Sequence, residues 1–260
     1  EIIYQSESWQ SYAVPILLYL IVGGALVITN RNLDLKISTK DAFVITTLSW
    51  ILFTILCSVP FIYSEIDLSV VDAIFESMSG VTTTGATILS NLDQAPKGIL
   101  IWRAVLQWLG GIGIIVIALV ILPFLRIGGM QLFHLEGNDP YDKFLPKISS
   151  VVTKILIVYT CLTALLFILY YLNHMTMFDA LAHSLTTIST GGFSTHNNSF
   201  AFFDNNNILN IAIIFMILGS FPFLLLAQTS LTNITLLFKD NQIRLFLIIL
   251  IIAIGLIYYA

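Results

Sequence analysis

Six stretches of this sequence are apolar for long enough to cross a bilayer, and no water-facing fold could hide them all. They run roughly over 12–29, 41–63, 98–125, 149–172, 207–237 and 243–260. A spanning helix needs about 20 mostly apolar residues. The chain is 57% hydrophobic and only 10% charged, against about 25% charged residues in soluble domains. Lipid is therefore the expected solvent. The formal net charge of -4 is weak and dispersed, which gives no electrostatic case for nucleic acid as a partner. Cys57 and Cys161 both sit in apolar runs without metal spacing and are expected to be small buried apolar residues. The sequence opens on Glu1 with no basic region before the first apolar run, so no signal peptide is expected, and both ends read as cuts.

Between the long runs lie two shorter ones, 71–82 and 178–189, too short and too rich in Ser and Thr to span. Val71, Ile74, Phe75 and Met78 recur at helical steps. Helices of this length fit re-entrant segments as well as buried ones. Basic residues set the orientation. Arg31, Lys36, Lys40, Arg126, Lys143, Lys147, Lys154, Lys239 and Arg244 fall in alternate connections, leaving only Lys97 and Arg103 elsewhere. If the first set is cytoplasmic, both short helices enter from outside. Glu65, Asp67, Asp72, Glu76, Asp93, Asp179 and Asp204 then lie on the outer half. There they would either concentrate cations at a mouth or act as solvated loop charges.

The short helices belong to an internal repeat. DAIFESMSGVTTTGAT, from Asp72, aligns without gaps to DALAHSLTTISTGGFS, from Asp179. Ser77 matches Ser184, Val81 matches Ile188, Thr83 matches Thr190, Gly85 matches Gly192 and Thr87 matches Ser194. The unit is span, half helix, polar loop, span. It occurs twice, over 41–127 and 149–238, and a third copy starts within 239–260. Residues 1–40 supply an extra span and linker, and 128–148 a cytoplasmic loop. The fold class is thus all-α and integral to the membrane.

Irregular backbone at membrane depth is tolerated only where protein buries it or a water-filled path runs beside it. A half helix entering from outside aims its negative dipole end at the membrane centre. The Thr/Gly loop follows at once. Its carbonyls can replace the hydration shell of an alkali cation, and glycine supplies the positive φ that turns them. A single TTTG is a weak signal. Two copies after matched half helices are a strong one, although glycine C-caps ending ordinary helices would also place Gly there.

FESMSGVTTTGAT, RAVLQWLGGIGI, LRIGGMQLF and FDALAHSLTTISTGGFST together resemble the membrane subunit of bacterial Trk-type potassium uptake systems. The resemblance runs over residues 12–260. It implies four span–pore helix–span repeats around a pseudo-fourfold pore, of which this sequence carries two and the start of a third. It places key filter glycines at Gly85 and Gly192. Ion-binding carbonyls would come from Thr83, Thr84, Gly85, Thr190, Gly191 and Gly192, flanked by Thr82, Ala86, Ser189 and Phe193 as support. Glycine rather than serine at Gly85 favours potassium over sodium. The implied setting is a bacterial inner membrane, with membrane lipid around the chain. The implied partners are a second copy and a cytosolic ring of nucleotide-binding, TrkA-like regulatory subunits, which the 126–147 loop could meet. No bound cofactor is implied; potassium is the substrate. Channel and proton- or sodium-coupled symport both remain open.

An intramembrane charge is costly and usually paired, so Arg103 is expected to pair with Glu76 and brace the first half helix, or else to snorkel outward. The small residues of the Gln107–Gly113 segment point to close helix packing. Gly219 and Pro222 are expected to bend the fifth span. His134, His174, His183 and His196 are scattered. Asp179 is the expected start of the second half helix, despite standing four residues before His183. An intramembrane enzyme would need a nucleophile and base, a paired aspartate motif or a metal set, and none is present. A non-transporting scaffold has no use for paired re-entrant loops.

Overall fold

A computed structural model of the chain describes residues 10–31, 39–125, 140–228 and 235–259. Among these residues every regular element is helical. Helix α1 covers Gln10–Asn30, α2 Thr39–Ile62, α3 Val70–Val81, α4 Lys97–Leu125 and α5 Pro140–Leu172. Then come α6 at Met177–Ile188, α7 at Asn206–Gly219, α8 at Phe223–Gln228, α9 at Thr235–Lys239 and α10 at Asn241–Tyr259. Stretches within α2, α4, α5 and α10 are long and apolar enough to cross a membrane.

The two short helices start in the same way. Ser69 Oγ accepts from Asp72 N at 3.2 Å and donates to Asp72 Oδ2 at 2.7 Å. Thr176 Oγ1 does the same with Asp179, at 3.1 and 2.6 Å. Each hydroxyl satisfies an orphan N–H of the first turn, and each carboxylate sits where the helix dipole favours it. The aspartates that open the repeat are therefore capping residues.

Each short helix packs between the two helices that flank it in its own unit, α3 between α2 and α4, and α6 between α5 and α7. Helix α4 also lies against α6, joining the units. Phe61, Ala73, Val81, Ile99 and Leu106 form the first core. Ile155, Tyr159, Leu166, Tyr170, Ile188, Ile208 and Phe215 form the second. The outward faces of α2, α5 and α10 carry exposed Leu, Ile and Phe, as lipid-facing surfaces do.

Close approach of backbone is built into α4 and α7. An added Cβ at Gly110 would overlap the carbonyl of Val81, the last residue of α3. One at Gly219 would lie 2.6 Å from the carbonyl of Ile188, the last residue of α6. The packing reading of the Gln107–Gly113 segment thus holds at Gly110 and at Gly111, where an added Cβ would lie 2.8 Å from Tyr159 Oη, but not at Gly113, which faces open space.

Three expectations change. The fifth apolar run is broken rather than bent: α7 ends at Gly219, and the chain turns through Ser220, Phe221 and Pro222 before α8. Proline cannot donate to the preceding turn, and Gly219, the last residue of α7, lies against the end of α6. Helix α5 starts at Pro140, well before the apolar run and inside the stretch expected as a loop, with proline at a first helical position, where its missing N–H is not needed. Cys57 is buried, but Cys161 is exposed on the outer face of α5. Arg126, His134, Lys36 and most of the loop expected to meet a regulatory ring lie outside the described residues.

Candidate functional site

The two loops that follow α3 and α6 have nearly the same backbone. Thr83 and Thr190 adopt φ of 57° and 52°, and Gly85 and Gly192 adopt φ of 78° and 82°. A β-branched residue in the left-handed region costs about 1–3 kcal/mol and persists only where its surroundings over-determine it. Here the helix end does so. Thr83 N donates to Gly80 O at 3.0 Å and Thr84 N to Ser79 O at 2.9 Å. The second copy repeats this with Thr190 N to Thr187 O at 3.0 Å and Gly191 N to Thr186 O at 2.9 Å. In a trans peptide the carbonyl points opposite to the N–H. The carbonyls of Thr83 and Thr190 therefore turn away from their own helices.

Support differs between copies. Ser79 Oγ donates to Ala86 O at 2.6 Å, and the Thr82 and Thr84 hydroxyls meet at 2.7 Å. Glu76, 0% exposed, accepts from Thr87 Oγ1 at 2.8 Å and from Ile88 N at 3.1 Å. Arg103, 1% exposed, donates to Glu76 Oε1 at 2.7 Å. It also reaches the second unit, donating to Ser194 O at 3.1 Å and lying 4.1 Å from the centre of the Phe193 ring. Arg103 therefore sits inside the protein, not at the interface, and joins the two loops. In the second copy Ser189 Oγ donates within its helix end and also meets the Tyr159 hydroxyl.

Sequence reasoning assigned no role to Gln107. It lies one turn after Arg103 on the same face of α4, fully buried. Its Nε2 donates to Gly191 O at 2.7 Å, and its Oε1 accepts from Phe193 N at 3.1 Å. An uncharged amide inside an apolar span was the available signal. Gly191 therefore departs from the expected filter lining. It is buried, and its carbonyl sits between Gln107 and Gly85, where an added Cβ would overlap it. Thr84, Thr190 and Gly192 are exposed, and Thr83 and Gly85 are half-buried.

A second tie links the units beyond the loops. His196 stacks on Phe202 with ring centres 3.5 Å apart, and its Nδ1 lies 2.6 Å from Asp93 Oδ1. Its Nε2 is 3.4 Å from Asp179 Oδ1. The hydrogen bond from His196 holds the Asp93 carboxyl below its usual range. Asp179 also accepts from Thr195 Oγ1 at 2.7 Å. Glu76 and Asp179 are thus structural partners rather than mouth charges, while Glu65, Asp67, Asp93 and Asp204 are exposed. His183 is buried against Ser194 Oγ at 3.0 Å. Beneath both loops a crevice of about 430 Å³ is lined by Thr83, Thr190, Gly111, Tyr159, Gly219 and the residues from Phe221 to Leu224 at the start of α8. No cluster of metal-ligating side chains occurs among the described residues.

A family model described as TrkH, cation transport protein, matches residues 10–259. The chain belongs to this family. It is an all-α, multi-pass protein of the bacterial inner membrane, and the family is one of transporters rather than enzymes. Trk system potassium uptake protein TrkI of Halomonas elongata is 37% identical over 228 residues, covering 87% of this chain and 46% of that protein. TrkG of Escherichia coli K12 is 35% identical over 250 residues, covering 95% and 52%. The crystal structure of the potassium transporter TrkH from Vibrio parahaemolyticus matches with a TM-score of 0.85 at 33% identity, over 96% of this chain and 52% of that one. The chain spans about half the length of these relatives.

Proposed function

We propose that this chain forms two of the repeats of a potassium uptake pathway, with backbone carbonyls of its two Thr/Gly loops as part of the selectivity filter. The observation that carries this is the duplicated left-handed Thr and Gly geometry at the C-terminal ends of α3 and α6. Negative helix ends and outward-turned carbonyls suit a partly dehydrated monovalent cation. The relatives named as Trk potassium uptake proteins supply the ion. In this reading Thr83, Thr84, Gly85, Thr190 and Gly192 line the path. Gly191 braces the filter from behind, together with Thr82, Ala86, Ser189 and Phe193. Two further repeats of the relatives' length would complete the ring. A second copy and a nucleotide-binding regulatory ring are the proposed partners, and the short helices enter from outside the cell.

Flux in liposomes containing the full-length protein tests the reading. Rubidium or potassium flux is expected to exceed sodium flux, with the preference weakened in Gly192→Ser. Equal flux of both ions, or a Gly192→Ser variant behaving like wild type, would refute the filter assignment and favour a sodium-conducting or poorly selective transporter.

A further inference from the structure

We propose that Gln107 is a specificity-determining positioning residue, whose side-chain amide fixes the Gly192 carbonyl from the neighbouring repeat. The proposal rests on the filter reading above. Gln107 belongs to the first unit, yet both ends of its amide are spent on the loop of the second. Only one orientation satisfies that loop: Gly191 O needs a donor and Phe193 N an acceptor, and the amide supplies them at 2.7 and 3.1 Å.

An amide that donates to one carbonyl and accepts from the N–H two residues on pairs as an adjacent strand would. It fixes the peptide planes on both sides of Gly192. The chain has no cis peptides among the described residues. With Phe193 N–H aimed at Gln107, the Gly192 carbonyl at the other end of that peptide is turned away from α4, toward the exposed side of the loop. Glycine at φ 82° has wide conformational freedom of its own. The clamp removes it. Carbonyls held at set positions discriminate between cation radii better than carbonyls free to follow the ion, if cavity size contributes to selectivity.

The same contact explains a difference between the copies. The first loop has Thr84 where the second has Gly191. An added Cβ at Gly191 would overlap the Gln107 amide, whereas Thr84 projects into the open and meets Thr82. The device is not general to the unit. Gly110 and Gly219 hold equivalent places against the ends of α3 and α6. Three residues before them stand Gln107 and Met216, and a thioether cannot replace the amide.

The test compares rubidium and sodium flux in liposomes for full-length wild type, Gln107→Met and Gly191→Ala. Both variants are expected to conduct with the rubidium-to-sodium ratio reduced about fivefold, the equivalent of one neutral hydrogen bond. The potassium-induced rise in melting temperature, relative to that in sodium, is expected to shrink in step. A purely structural role would lower the melting temperature equally in both salts. Gln107→Asn, which keeps the amide but shortens its reach, replaces any variant that fails to fold, and the same reduced ratio is expected of it. An unchanged ratio in the folded variants would overturn the clamp. A wild type without rubidium preference would instead overturn the filter reading on which it rests.

Discussion

Glu76→Gln should be among the most damaging conservative substitutions in this chain. Glu76, itself fully buried, accepts from Arg103 Nε at 2.7 Å, Thr87 Oγ1 at 2.8 Å and Ile88 N at 3.1 Å. A glutamine has one acceptor oxygen for these donors, and its NH2 group opposes the rest. More important is what remains. Arg103 cannot shed its proton, and its Nη2 already has no hydrogen-bond partner. Breaking a buried pair in this way costs about 3–5 kcal/mol. Arg103→Gln leaves a carboxyl that keeps two neutral donors and can neutralise itself by binding a proton, so about 2 kcal/mol is expected. At roughly 2–4 °C per kcal/mol for a domain of this size, Glu76→Gln should lower the apparent melting midpoint by about 6–20 °C and Arg103→Gln by about 4–8 °C. The double replacement Glu76→Met/Arg103→Leu should be milder than Glu76→Gln alone, because it leaves no orphaned charge. The assay is the fraction of detergent-solubilised protein that stays monodisperse after heating. Equal shifts for the two single variants, or a double variant as severe as their sum, would refute the reasoning.

Gly110→Ala should be poorly assembled, because its Cβ meets the rigid Val81 carbonyl, while Gly113→Ala, facing open space, should fall within about 0.5 kcal/mol of wild type; thermal stability of the two distinguishes them. The Asp93–His196 tie should be pH-dependent: because the folded state holds the Asp93 carboxyl below 3.8, its contribution is present above that value and lost as the pH falls through the lower folded one. Hydrogen exchange over 91–97 in wild type and Asp93→Asn should therefore differ at neutral pH and converge in acid. In detergent, an apolar maleimide should label Cys161 and spare buried Cys57.

The half helices were legible almost to the residue, 71–82 against Val70–Val81 and 178–189 against Met177–Ile188. Their boundaries are local: a hydroxyl cap and Asp at the start, and Thr and Gly forced into left-handed backbone at the end. The Glu76–Arg103 contact was legible because an intramembrane charge demands a partner. The break in the fifth apolar run was not. Gly219 and Pro222 announce a distortion, but hydropathy and residue type do not distinguish a bend from a break, and the contact of Gly219 with the Ile188 carbonyl is visible only in the fold. The burial of Gly191 was hidden for a similar reason. Two glycines in a row look equally suited to turning a carbonyl toward an ion, and only the Gln107 amide distinguishes them. His196 and Asp93 lie far apart in sequence and follow no period, so nothing local announces their contact.

The unlike neighbours of the two loops bear on how such a protein can change. A channel assembled from identical subunits receives every substitution at all symmetric positions at once. Here the copies share one chain but not one sequence, and Gln107 and Met216 occupy matching places with different chemistry. On the proposed reading, a mutation can therefore retune one quadrant of the filter while the others keep their geometry. Selectivity in this architecture is open to adjustment in small, asymmetric steps.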